Sequence, residues 1–165
     1  MDQSQVATLR DFHLPLLEFE HATTCKVLAA VPNGKSGYTP DPKSQNALDL
    51  AWHLASSEMW FLHGVINGNF NHKGATRPES VKNISDIVPW YRSEFAATFE
   101  KLKGMSLADL GRTVDFFGVV KQPAVWFINL TLRHAIHHRG QLSSYLRPMG
   151  GKVPAIYGGS ADEPM

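Results

Sequence analysis

Apolar residues recur at helical spacing in four long stretches, separated by turn-forming residues. The first stretch runs from Phe12 to Val31. Leu14, Leu17, Ala22, Val27 and Leu28 make an imperfect stripe opposite Glu18, Glu20 and Lys26. Pro15 falls in the first turn of this helix, where a missing N–H does no harm. Pro32-Asn33-Gly34 ends it, and the prolines and glycines through Pro42 predict a loop. A second helix is expected from Gln45 to Asn67 with Ser44 as N-cap. Its apolar stripe is wide enough for packing on more than one side, and His53 lies within it. Gly68-Asn69 stops this helix. A third runs from Asp86 to Lys103, with Ser85 as N-cap, Pro89 near the first turn and Gly104 as the stop.

Between the third and fourth helices the pattern changes. Ser106 to Leu110 reads as a short helical turn. Thr113 to Val120 is β-branched and aromatic, and reads as a short strand pair or an extended loop. The fourth helix starts with Pro123 at N1, runs to Met149 and is closed by Gly150-Gly151. Its inward stripe is Phe127, Leu130, Thr131, His134, His138, Gln141, Leu142 and Tyr145. The tail from Lys152 to Ser160 has apolar residues between punctuators and is expected to pack. The sum is an all-α chain: one antiparallel four-helix-bundle domain over residues 1–165, with a short extended segment before the fourth helix. The connections from helix two to three and from three to four are long enough for a crossover.

Composition narrows the function classes. A net charge of +1 with no run of Lys or Arg argues against nucleic-acid binding, which needs a basic stripe. No apolar run reaches the roughly 18 residues that span a bilayer, so no membrane association is expected. Met1-Asp2-Gln3-Ser4-Gln5 has no basic region followed by an apolar one, so no signal peptide is expected. Cys25 is the single cysteine. It excludes an intramolecular disulfide, fits a cytoplasmic home and reads as a core thiol.

The candidate chemistry is histidine. Three of the eight histidines fall within Leu132-Arg133-His134-Ala135-Ile136-His137-His138-Arg139-Gly140-Gln141-Leu142. His134 and His138 are four apart, so both sit on one helix face and can share an ion. His134 with His137 is nearly as good a pair, and spacing does not choose between them. His137 and His138 differ by about 100° around the helix and cannot both point at one ion. The glutamate of HExxH is missing, so the usual metalloprotease signature is absent. His53, mid-way along the second helix, is the best third ligand. His63 lies about 15 Å further along and near that helix end. His13, His21 and His72 read as surface or supporting residues. Glu58, five residues from His53, points well away from it, and no general base is evident.

Trp52-His53-Leu54, then His134-x-x-x-His138-Arg139-Gly140-Gln141-Leu142 with Tyr145-Leu146-Arg147, resembles the DinB family, or DinB/YfiT-like metalloenzymes. Pro40-Asp41-Pro42-Lys43-Ser44, Pro148-Met149-Gly150-Gly151-Lys152-Val153-Pro154 and Ile156-Tyr157-Gly158 resemble it too, so the likeness covers nearly the whole chain. The resemblance implies a four-helix bundle, usually a homodimer, whose three histidines bind a divalent metal, often zinc or nickel. Iron or copper would suit such ligands as well. Carried over by position, the ligands are His53, His134 and His138, and His137 falls outside the set. Gln141 and Arg139 are candidates to support them. Gln141 shares the ligand face, and Arg139 points sideways, toward a partner chain. The family name records damage induction rather than a chemistry. Relatives include transferases and isomerases that use low-molecular-weight thiols, so the resemblance implies a metal-dependent transferase or hydrolase acting on a small molecule. The alternative is a non-catalytic metal-binding stress-response or interaction module.

Overall fold

A computed structural model describes residues 1–165. It contains α1 (Gln3–Ala29), α2 (Ala47–Asn67), α3 (Ile84–Lys103), the short α4 (Leu107–Gly111), β1 (Thr113–Phe116), β2 (Val120–Pro123) and α5 (Ala124–Leu146). The four long helices form the bundle. None is long and apolar enough to cross a membrane.

Helix α1 starts at Gln3, well before the expected Phe12. Asp2 and Gln5 form a capping box there, and Pro15 lies in the helix interior rather than its first turn. The periodicity misleads because the buried face of α1 is largely polar: His13, Glu20, His21, Thr23 and Thr24 are all buried, while Phe12, Leu16 and Phe19 are exposed. The other starts shift by a residue or two. Asn46, not Ser44, caps α2 by accepting from the Asp49 N–H, and Asn83, not Ser85, forms a capping box with Asp86. Ser44 is instead bound to Asp41 within the preceding loop. Pro123 ends β2 and is the N-cap of α5 rather than its first helical residue.

Helix α1 packs beside α3 and α5, and α2 packs beside the same two. Consecutive helices α1 and α2 therefore occupy one diagonal of the bundle. Side-chain pairs give the directions. His53 meets His138 and Ser57 meets His134, so α2 and α5 are antiparallel. Glu58 meets Tyr91 and His63 meets Thr98, so α2 and α3 are parallel. His13 meets Asn129 and Glu20 meets Arg139, so α1 and α5 are parallel. The bundle is thus up-down-down-up rather than antiparallel throughout. The parallel pair requires the connection 68–83 to return along α2. It does so with Trp60 donating to the His72 carbonyl and Arg77 paired with Asp49 in the first turn of α2.

The end of α2 is tightly built. The Phe70 ring fills the space a Cβ on Gly64 would need. Gly68 takes the left-handed C-cap conformation at φ 71°. The Arg112 guanidinium lies against it and donates to the carbonyls of Val65 and Ile66. The β1–β2 hairpin pairs Phe116 with Val120 around a turn in which Phe117 has φ 53°. The C-terminal tail packs, with Val153 and Ile156 against the core and Arg147 paired with Asp162.

Candidate metal centre

The seam between α2 and α5 brings His53, His134 and His138 together, one ligand-capable nitrogen from each lying within 4.8 Å of the others. His53 Nε2 and His138 Nε2 are 3.2 Å apart. Metal–nitrogen bonds of about 2.0–2.1 Å at tetrahedral angles would hold ligand nitrogens roughly 3.3–3.4 Å apart. The three rings are half-buried. His137 is exposed on the outer face of α5. A single residue step, about 100° around the helix, thus separates a solvated imidazole from one in the seam.

In His134 and His138 the other ring nitrogen is held in a way that fixes the tautomer. The Ser57 hydroxyl donates to the His53 carbonyl, so its oxygen is free to accept from His134 Nδ1, 3.3 Å away. The amide oxygen of Gln141 accepts from His138 Nδ1 at 3.2 Å. With the proton at Nδ1, the Nε2 lone pair of each ring is left free. Desolvation lowers the pKa of all three histidines. It takes His134 to about 4, reinforced by His138, His53 and His137, while the Gln141 bond partly opposes the fall at His138. Neutral imidazoles with converging lone pairs are a donor set that fits a divalent cation. A cleft of about 400 Å³ opens beside His53 and His134, lined also by Ser56, Ser57, Trp60, Phe61 and Gly74.

Gln141 thus touches a candidate ligand, whereas Arg139 does not. Its guanidinium is buried. It donates to the carbonyl and carboxylate of Glu20 on α1 and to the Tyr157 hydroxyl in the tail. Arg139 is therefore an internal tie rather than a group aimed at a partner chain, because Glu20 turns inward from the polar buried face of α1. His13 and His21 are also inside, not at the surface. His21 stacks on Phe95 and lies 3.6 Å from the Cys25 sulfur, and burial lowers it to about 4, with Arg92 adding to the fall. His63 contacts Thr98, and His72 contacts the Trp60 carbonyl. Cys25 is buried. Glu58 points away from the histidines into the core, where the Tyr91 hydroxyl donates to it. Sequence reading missed Ser57. Its place one helical turn after His53 puts it on the same face, but serine has no spacing signature of its own.

Comparison with known proteins agrees with this architecture. The DinB family model matches residues 13–164. The curated protein YjoA of Bacillus subtilis strain 168 is 25% identical over 115 residues, covering 68% of this chain and 73% of YjoA. A crystal structure of a DinB-like protein from Bacillus cereus superposes with a TM-score of 0.74 at 26% identity, over 88% of this chain and 95% of that one. The crystal structure of YjoA, a DinB-like protein, superposes with a TM-score of 0.69 at 22% identity, over 85% and 93% of the two chains. With its helical bundle and its three-histidine cluster on the α2–α5 seam, the chain belongs to the DinB family.

Proposed function

We propose that His53, His134 and His138 hold a divalent metal ion, zinc or nickel before iron or copper, and that the chain is a metal-dependent enzyme. Its chemistry is transfer of a small thiol, or hydrolysis, on a small-molecule substrate. The observation that carries the proposal is the convergence of three neutral imidazoles beside an open cleft. Three protein ligands leave a coordination position for a reactant, the pattern of catalytic rather than structural sites. A divalent ion there supplies Lewis acidity and lowers the pKa of a thiol or water that reaches it. Ser57 and Gln141 keep the rings of His134 and His138 in the tautomer that presents Nε2, and Ser56 offers a hydroxyl to a polar group in the cleft.

The second reading is a metal-binding module without catalysis. It is favoured by a cleft lining that offers no carboxylate, lysine or cysteine to move a proton. Both readings include a homodimer, in which a second copy covers the exposed Phe12, Leu16 and Phe19 of α1 and the exposed Ile136 of the adjoining α5.

Elemental analysis after dialysis against zinc or nickel is expected to find one ion per chain, lost in His138→Ala and in His53→Ala. No bound ion, together with no change in stability on adding a chelator, would reject both readings. Assays of thiol transfer to electrophiles separate them, and unchanged turnover in His138→Ala would defeat the enzymatic one.

A further inference from the structure

The cleft has a chemistry of its own beyond the three histidines. Its side walls are Trp60 and Phe61, its polar groups are the hydroxyls of Ser56 and Ser57, and no Lys, Arg, Asp or Glu lines it. Trp60 is pinned. Its indole N–H donates to the His72 carbonyl at 2.9 Å, and its ring lies 5.0 Å from Phe61 and 5.1 Å from Phe70 between centroids. The hairpin adds Phe117, whose ring is parallel to the indole within 3° although its backbone stands at φ 53° and its side chain is 63% exposed. A non-glycine residue in the left-handed region is strained, and it persists where surrounding structure holds it. Held by its N–H bond and by Phe61 and Phe70, with Phe117 parallel to it 6.3 Å away, Trp60 is an aromatic wall of the site.

Resting on the metal-site reading, we propose that the cleft selects a ligand whose single donor atom is carried on a flat apolar body with no second charge, and that Trp60 is the residue that selects it. A flat ring gains by lying against the indole and by leaving water. A carboxylate held against the indole, out of reach of an ion that the donor atom already occupies, would be stripped of water with no lysine or arginine to meet it, which is costly. Ser56 leaves room for a neutral polar substituent. Trp60 therefore acts on specificity, while the histidines hold the ion.

The test uses the full chain loaded with cobalt(II), read by the visible absorption of the ion. It is titrated with three thiols of similar acidity: phenylmethanethiol, 2-mercaptoethanol and 4-(mercaptomethyl)benzoate, whose carboxylate cannot reach the ion its sulfur binds. Phenylmethanethiol is expected to bind about tenfold more tightly than 2-mercaptoethanol and than 4-(mercaptomethyl)benzoate. Trp60→Ala should bring phenylmethanethiol to within about twofold of 2-mercaptoethanol and leave the latter unchanged. Trp60→Leu keeps apolar bulk without the aromatic face, and it reads the same quantity if the alanine variant fails to fold. Equal affinities, tightest binding of 4-(mercaptomethyl)benzoate, or a preference that survives replacement of Trp60 would overturn the inference while leaving the metal site standing. Failure of cobalt to bind at all would overturn both.

Discussion

Ser57 and Gln141 are small residues with leverage over the candidate ligands. Each occupies the Nδ1 side of an imidazole and so decides which nitrogen faces the cluster. Removing such a partner typically weakens metal binding about 10–100-fold. Ser57→Ala and Gln141→Ala should each show a loss in that range in competition with a chromophoric chelator, with little change in helical content. Spacing and resemblance were enough to find His53, His134 and His138 as candidates, and the helical face was enough to find Gln141. Ser57 was illegible because its importance comes from a residue on another helix.

Glu58 sets a pH dependence of its own. Burial raises its carboxyl to about 7, against the opposing pull of the Tyr91 hydroxyl and Arg139, and one carboxylate oxygen has no partner. A raised carboxyl favours the fold below its unfolded pKa of roughly 4.3, and that contribution is lost as pH rises to the folded value. The buried histidines act in the opposite direction. His21 and His134, lowered to about 4, contribute stability above pH ~6.5 that is lost as pH falls through their folded values. The difference between wild type and Glu58→Gln isolates the first effect. Urea unfolding should show the variant gaining on wild type by about 3 kcal/mol between pH 4.5 and 7, and then running parallel to it.

At the scale of elements, α1 is the helix whose polarity runs against its packing. Its buried residues include His13, Glu20, His21, Thr23 and Thr24, and its exposed ones include Phe12 and Phe19. A hydrophobic stripe reports where a helix is buried only when the core takes apolar residues. Here α1 meets the buried Arg139, and a charged group must bring its acceptors with it. That is why the burial of Glu20 and the direction of Arg139 were not legible, while α2, α3 and α5 were legible to within a few residues. Helix α5 is thus tied to α1 by charge immediately beside its candidate ligand His138. Breaking one half of a buried pair typically costs about 3–5 kcal/mol. Arg139→Ala is expected to lose that much in denaturant unfolding. Replacing both partners with apolar residues, as in Arg139→Met with Glu20→Leu, should recover most of it.

For the whole molecule, the exposed stripe on α1 is the face left without a partner. Phe12, Leu16 and Phe19 follow helical spacing, and α5 alongside exposes Ile136. If a second copy covers this face, wild type should run as a dimer in light scattering. Phe12→Asp with Phe19→Asp should run as a monomer, with its far-ultraviolet circular dichroism unchanged. A monomeric wild type would reject the assignment. The helical-bundle class was legible from periodicity, but the order of its helices was not. That order depends on where the connection 68–83 lies, and the contacts seen along it, such as Arg77 with Asp49, have no spacing signature in the sequence.

The up-down-down-up order has a kinetic consequence. The helices that meet at the histidine cluster are far apart in the chain, and His53 waits for a residue 85 positions later. Helices α1 and α2 are diagonal and give each other little support, and α2 can first lean only on its parallel neighbour α3. Closing a loop of that length before contacts reward it is slow relative to local helix formation. During synthesis, α1, α2 and α3 therefore emerge with the α5-facing sides of α1 and α2 bare. The imidazole cluster becomes whole only when α5 docks, so a cluster competent to bind an ion reports that the last long helix has been delivered.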